Sequence, residues 1–250
     1  MNVDKSEARI RQMFGEISGR YDFLNHFLSL GVDYSWRRKT IKSVSADIQG
    51  PILDVCTGTG DLAIAFWNKF RGKVEVVGSD FTPEMLEIAN RKRDKKKIPG
   101  ERGGARQPLT FVEADTQQLP FDDDSFEAVS VAFGLRNVTD TRQGIREMIR
   151  VCKPGGQILI LEFGMPRNRL FGSVYRWYFK HILPRLGQLL ARNKQSAYNY
   201  LPASVSEFPH GRELVELLSE CGLDEVTWKP LTLGVAGLYV GRKPALEPVF

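Results

Sequence analysis

The sequence predicts an α/β fold, a mostly parallel sheet with helices on both faces. Three observations carry this: short apolar runs that alternate with stretches of helical periodicity, a first run that breaks into a glycine loop, and a second that ends on an acidic residue. Ile52, Leu53 and Val55 suit a buried strand, Gly58 and Gly60 let the backbone turn and approach a ligand, and Leu62 to Phe70 has helical spacing. The helix start leaves N–H groups unpaired beside the loop, so a nucleotide-like ligand is expected there.

Ahead of that strand the chain reads as helices. Ile10, Met13, Phe14 and Ile17 share one face, a second run follows from Tyr21 to Leu30, Gly31 closes it as a C-cap, and Trp36-Arg-Arg-Lys39 opens a third. This aromatic preface is expected to extend the core or to form a lid. Beyond the loop, Val74 to Ser79 is a second strand ending at Asp80, and Pro83 starts a helix, where its missing N–H costs nothing. Asp80 lies 20 residues past Gly60, where an acidic residue takes ribose hydroxyls in nucleotide-binding α/β units. Asp also caps helices, but Thr82 is the better cap here, which leaves Asp80 for a ligand.

Arg91 to Pro108 reads as a helix end and a mobile loop. Leu109 to Glu113 is a third strand with Asp115 and Thr116 at its carboxyl end, and Phe126 to Phe133 a fourth that ends in Gly134-Leu-Arg-Asn137. Thr141 to Val151 is helical, and Lys153-Pro-Gly-Gly156 stops it before a fifth strand, Gln157 to Phe163. Leu170 to Leu190 carries a basic, aromatic, amphipathic stripe with Pro184 as a kink; core packing around a pocket, membrane contact and a dimer interface all fit it. Gly211 to Cys221 is a further helix, and two strands, Asp224 to Pro230 and Gly234 to Arg242, close the sheet.

The length of 250 residues suits one α/β domain with additions. Cys56, Cys152 and Cys221 are scattered without metal-ligand spacing, so a reducing cytoplasm and no metal are expected. No signal pattern and no uninterrupted run of about 18 apolar residues occurs, which predicts neither export nor a membrane span. The net charge of +5 is uneven: Arg91 to Arg106 holds eight basic and two acidic residues, Phe163 to Ser206 seven basic and none acidic, and the rest is acidic. Two such patches suit an anionic surface, lipid or nucleic acid, or a merely solvated face.

The loop Gly58-Thr-Gly-Asp-Leu-Ala63 fits a dinucleotide fingerprint as well as an S-adenosylmethionine site. The series Asp54-x-x-x-Gly-x-Gly, Asp80, Asp115 and Lys153-Pro-Gly-Gly156, with no positive charge in the loop for phosphates, favours a ligand with a cationic end. Here the chain resembles the class I S-adenosylmethionine-dependent methyltransferases, and within them the ubiquinone/menaquinone biosynthesis C-methyltransferases. The likeness runs from about Phe14 to Lys243, through Tyr21-Asp-x-x-Asn25, Trp36-Arg37, Leu53 to Asp61, Ala132-Phe-Gly-Leu-Arg-Asn137, Arg150 to Gly156, Leu161-Glu-Phe163, Tyr198-x-Tyr-Leu201 and Phe208-Pro209. Two departures stand out: Asp115-Thr116 where the family more often has Asn-Ala, and a longer basic loop.

The resemblance implies a Rossmann-like, doubly wound, mostly parallel sheet of seven strands. Residues 1–50 would form an N-terminal helical lid, 51–163 the cofactor-binding core, 164–210 a helical substrate- or membrane-facing insertion, and 211–243 the closing helix and strands. It also implies methyl transfer from S-adenosyl-L-methionine to a ring carbon of a polyprenylated quinol. Asp54, Gly58, Thr59, Gly60, Asp80, Asp115, Thr116 and Ala132 are expected at the cofactor. Arg136, never deprotonated, is expected beside a quinol oxygen to stabilise its phenolate, with Asn137 next to it. A base must remove the ring proton, and Tyr21, Asp22, His26, Asp33, Glu162 and His210 are open candidates, with Tyr21 and His26 placed at the catalytic centre. Peripheral contact with an anionic membrane, on the cytoplasmic side, and a homodimer are further expectations, whereas no nucleic acid partner is. A nicotinamide oxidoreductase, a methyltransferase acting on another small molecule or on nucleic acid, and a non-catalytic binder are the competing readings.

Overall fold

β1 (Ile52–Val55) is buried along its whole length and carries β2 (Val76–Asp80) on one side and β4 (Phe126–Ala132) on the other, both parallel to it. The computed structural model describes residues 5–101, 104–166, 172, 173, 175, 177 and 197–245. β3 (Leu109–Glu113) and β5 (Cys152–Phe163) extend the sheet in parallel, and β6 (Asp224–Leu231) and β7 (Ala236–Arg242) finish it antiparallel, in the order β3-β2-β1-β4-β5-β7-β6. The expected seven-stranded doubly wound sheet is therefore present. The order reverses at β1 and β4, the switch point where ligands sit beyond the carboxyl ends of the strands.

Helices cover both faces. α3 (Asp61–Lys69), α4 (Pro83–Lys95) and α5 (Thr141–Val151) are the crossovers between parallel strands. Asp140 caps α5 by accepting the Gln143 N–H at 3.0 Å, and Pro83 opens α4 as its sequence requires. α6 (Ala197–Glu207) and α7 (Arg212–Glu220) precede the closing hairpin. Gly134 has no side chain because a Cβ there would fall on Cys56, where the chain leaving β4 crosses the chain leaving β1.

Two expectations need correction. The first two helical runs are one helix, α1 (Glu7–Leu28), because Ile10, Met13 and Ile17 dock on Tyr200 and Val205 and the stripe carries on to Tyr21 across Gly19. Gly31, at φ 74°, donates to the His26 carbonyl at 2.8 Å and so ends α1 while opening α2 (Val32–Ser43). Lys153-Pro-Gly-Gly156 lies inside β5 as an irregularity: pairing steps from Phe126 with Cys152 to Ala128 with Gln157. Lys243 clasps it, its Nζ donating to the Cys152 carbonyl at 2.8 Å and to Asp124 at 2.6 Å. The stripe expected over 170–190 lies outside the described residues apart from 172, 173, 175 and 177, and no described helix is long and apolar enough to cross a membrane.

Candidate functional site

A cavity opens beyond the carboxyl ends of the first four strands. Its floor comes from Cys56 and Gly58 after β1, Asp80 to Thr82 after β2, Asp115 to Gln117 after β3, and Ala132 to Gly134 with Asn137 after β4. Its roof comes from α1, through Glu7, Ile10, Phe14 and Tyr21.

Asp80 organises the floor. One carboxylate oxygen accepts the Gly58 N–H at 2.8 Å and the other the Thr82 N–H at 2.9 Å. Thr82 makes no capping bond of its own, and Asp80 holds its backbone N–H in place while still facing the cavity. Burial pushes its carboxyl above the ordinary carboxylate range, against the pull of those two N–H donors. The Gly60 N–H is also occupied, by the Thr57 carbonyl at 3.0 Å. Two of the loop's N–H groups are thus engaged within its own scaffold, which leaves fewer donors for a pyrophosphate. Glu7, Asp80 and Asp115 line the cavity, and no described lysine, arginine or histidine does. Such a lining suits a cationic ligand with hydroxyls and an amino group, flanked by the apolar Phe81, Met85 and Ala132, and it disfavours a dinucleotide.

Of the residues expected at the cofactor, Gly58, Asp80, Asp115, Thr116 and Ala132 line the cavity. Asp54, Thr59 and Gly60 do not. Asp54 is buried beneath the loop, accepting the Thr57 and Ser130 hydroxyls, each at 2.6 Å. Gly60, at φ 80°, lies over the Phe111 ring, where a Cβ would come within 2.7 Å of it. Thr59 turns away: its hydroxyl donates to Asp22 at 2.5 Å and accepts from Lys92 at 2.9 Å. Lys92 also holds Asp22 and Asp61, both at 2.6 Å, and joins α1, the glycine loop and α3 to α4.

Of the residues expected to be catalytic, Tyr21 and Asn137 reach the cavity. His26 instead bonds Asp33 at 2.7 Å and stacks on Tyr34 at 4.3 Å. Burial alone would raise the Asp33 carboxyl, but the Ser29 hydroxyl, Arg37 and His26 hold it below the usual range. Arg136 is 5% exposed and stands outside the cavity lining, paired with Glu162 at 3.0 Å, donating to the Phe133 carbonyl and lying 5.2 Å from the Phe163 ring. Its Nε is buried with no hydrogen-bond partner. Tyr200, not singled out from the sequence although its motif was visible, donates to Asn137 Oδ1 at 3.1 Å. Burial pushes its hydroxyl to about 12 and raises that of Tyr21 as well, so both are phenols near neutral pH. Lys92 gave no signal because it sits within a run of charges. No cluster of three metal-ligating side chains occurs among the described residues.

The chain is similar to known proteins in sequence and in fold. The sequence model of the ubiE/COQ5 methyltransferase family matches residues 2–243. The demethylmenaquinone methyltransferase of Deinococcus radiodurans is 44% identical over 240 residues, covering 96% of this chain and 94% of that one. The ubiquinone/menaquinone biosynthesis C-methyltransferase of Geobacter sulfurreducens is 43% identical, covering 96% and 90%. Among solved structures, phosphoethanolamine N-methyltransferase 2 of Haemonchus contortus, in complex with S-adenosyl-L-methionine, superposes with a TM-score of 0.60 at 17% identity, over 84% of this chain and 53% of that one. A methyltransferase of Aquifex aeolicus does so at 0.57 and 15%, over 82% and 88%. At those identities the structural likeness speaks for the fold.

Asp54 gives a test that needs no ligand. Burial pushes its carboxyl up to about 6 from an ordinary 3.8. Between those values the folded state binds more protons than the unfolded one, so this group's contribution to stability falls as pH rises through the window, by about 3 kcal/mol in all. Asp54→Asn cannot ionise. Urea unfolding at pH 4 and pH 7 should show the variant gaining about 2 kcal/mol on the wild type between the two, since part of the effect is already present at pH 4, and a pH-independent difference would mean that Asp54 is not desolvated.

Proposed function

The chain belongs to the ubiE/COQ5 methyltransferase family, and from that premise we propose that it transfers a methyl group from S-adenosylmethionine to a ring carbon of a polyprenylated quinol, in menaquinone biosynthesis, ubiquinone biosynthesis or both. The single observation that carries the donor is the cavity lined by three carboxylates and no described cation. When bound, S-adenosylmethionine supplies an electrophilic methyl group on a positively charged sulfur. Asp80, with a lone pair left on each oxygen, would accept the ribose hydroxyls, and Asp115 the adenine amino group. Ile10, Phe14 and Tyr21 of α1 would close over the donor and keep water out. In this reading residues 1–50 serve as a lid, 51–163 as the donor-binding core, 164–210 as the insertion that meets acceptor and lipid, and 211–243 as the closing unit.

The acceptor carbon becomes a nucleophile when the neighbouring hydroxyl gives its proton to water. After transfer the ring proton is lost in the same way, so that the net products are the methylated quinol, the neutral thioether and one proton released to solvent. Arg136 would stabilise that phenolate through its vacant Nε–H, with Glu162 and the Phe133 carbonyl fixing its other side. Tyr21 and Tyr200, as phenols, would donate hydrogen bonds to an oxygen or to Asn137 rather than serve as bases.

Contact with an anionic membrane belongs to the same reading. α4 runs away from the cavity, so the basic residues at its end, Lys95 to Lys97, lie on the opposite rim. The acid-free basic segment instead begins where β5 ends at Phe163, on the cavity's own rim, and so is the better placed to meet lipid.

Purified protein with S-adenosylmethionine and reduced demethylmenaquinol, or a reduced ubiquinone precursor, should yield a product heavier by one methyl group; gain on neither would sink the proposal. Arg136 cannot be removed alone, because a buried unpaired Glu162 would cost about 3–5 kcal/mol. The paired variant Arg136→Met, Glu162→Gln should fold, bind S-adenosylmethionine within a few-fold of the wild type and lose turnover at least about 100-fold. Turnover within tenfold of the wild type would make the pair structural. Sedimentation with anionic vesicles should be strong at low salt and weaker at high salt, and no binding in either rejects the membrane contact.

A further inference from the structure

Two leucines are displayed to solvent in backbone conformations that leucine disfavours. Leu30, in the turn between α1 and α2, is 84% exposed at φ 52°, and Leu233, in the turn between β6 and β7, is 68% exposed at φ 57°. A left-handed backbone strains any residue with a Cβ, and an exposed leucine leaves apolar surface in water. Glycine or asparagine would relieve both penalties. Folding therefore gives no reason for leucine at either position.

The two turns share a rim. Trp36 of α2 donates its indole N–H to Thr232 at 2.8 Å, and Val32 packs with Leu231 and Val235, which brings the start of α2 against the β6–β7 turn. Tyr34, 59% exposed, lies in the first turn of α2 just past Leu30, and Arg38 and Lys39 of the same helix are exposed. This is also the site's rim, since Gly164, just past β5, bonds the Val235 carbonyl at 3.0 Å, and Glu162, the partner of Arg136, pairs with Gly237. An aromatic path joins site and rim. Phe133, in the cavity wall, lies 4.4 Å from Phe163, and Trp36 packs on both, at 5.8 and 6.3 Å.

We propose that Leu30 and Leu233 form a two-pronged wedge that enters the acyl boundary of an anionic bilayer, with the largely buried aromatic cluster of Phe133, Phe163 and Trp36 packed between that rim and the cavity. The inference rests on the membrane contact proposed above and names the surface that makes it. Two strained apolar tips with an aromatic neighbour and flanking cations match an interface that is apolar below and anionic above.

The test compares wild type with Leu30→Asn, Leu233→Asn and the double variant, using vesicles of phosphatidylcholine with phosphatidylglycerol. Binding that survives high salt should fall at least tenfold in the double variant, while the thermal midpoint stays level or rises because strain is released. S-adenosylhomocysteine affinity by calorimetry should stay within twofold. Leu233→Trp should add fluorescence that shifts to the blue only when vesicles are present. Unchanged vesicle binding overturns the wedge, as does a fall in binding that tracks a lower thermal midpoint. A wild-type dimer that the double variant dissolves, with vesicle binding intact, assigns the leucines to a second copy instead. Failure of quinol methylation with the wedge intact would reject the proposed reaction and not the surface.

Discussion

Two N–H groups from different crossovers converge on one carboxylate, and the cavity takes its form from that junction. Asp80 holds the turn after β1 to the turn after β2 through Gly58 and Thr82. Because the Gly58 N–H is taken by an acid inside the protein, the glycine loop offers less to an acid from outside. The same loop sequence that elsewhere receives a pyrophosphate is here committed to its neighbour. The carboxylate pays for burial in a raised protonation range, and a ligand that brings hydroxyls or positive charge restores part of what water had provided.

The roof is held in two different ways along one helix. Near its start α1 is fixed by apolar contact, Ile10, Met13 and Ile17 against Tyr200 and Val205. Further along it is held by charge, through Asp22, Lys92, Thr59 and Asp61, and then through His26, Asp33 and Arg37. The Lys92, Asp22 and Asp61 side chains are 25–30% exposed, so water and salt weaken that end far more than the other. Thr59 and His26 belong to this charged fastening, and their chemistry is spent on holding α1 to the loop.

Elements bounded by strong local chemistry could be read from the sequence to the residue. β3 follows Pro108, and α5 runs from the Asp140 cap to Val151. The strand tips that reach the cavity, Asp80, Asp115 and Asn137, were legible because a parallel sheet sends its carboxyl ends to one side. Partnership across the chain was not. Arg136 meets Glu162 at a sequence separation of 26, and Asp54 finds Ser130 at a separation of 76, so an arginine or an aspartate near a motif reads as ligand-facing when its partner is a distant strand. The continuity of α1 was hidden for a related reason: the Ile10 to Ile17 face and the Tyr21 to Leu30 run read as two helices, and only docking on α6 shows them to be one.

The ends of the sheet bear on how copies of the protein meet. β6, the outer strand at one end, exposes Asp224, Glu225, Lys229 and Pro230, and its pairing slips between Asp224 and Thr227. At the other end, Glu113 of β3 is tied to Arg11 of α1 at 2.7 Å. Charge, an imino acid and a bulge are poor templates for a further strand. Growth of the sheet from one molecule into the next is thereby discouraged, even where molecules are crowded onto a shared surface, and any assembly must be built from helical faces and turns.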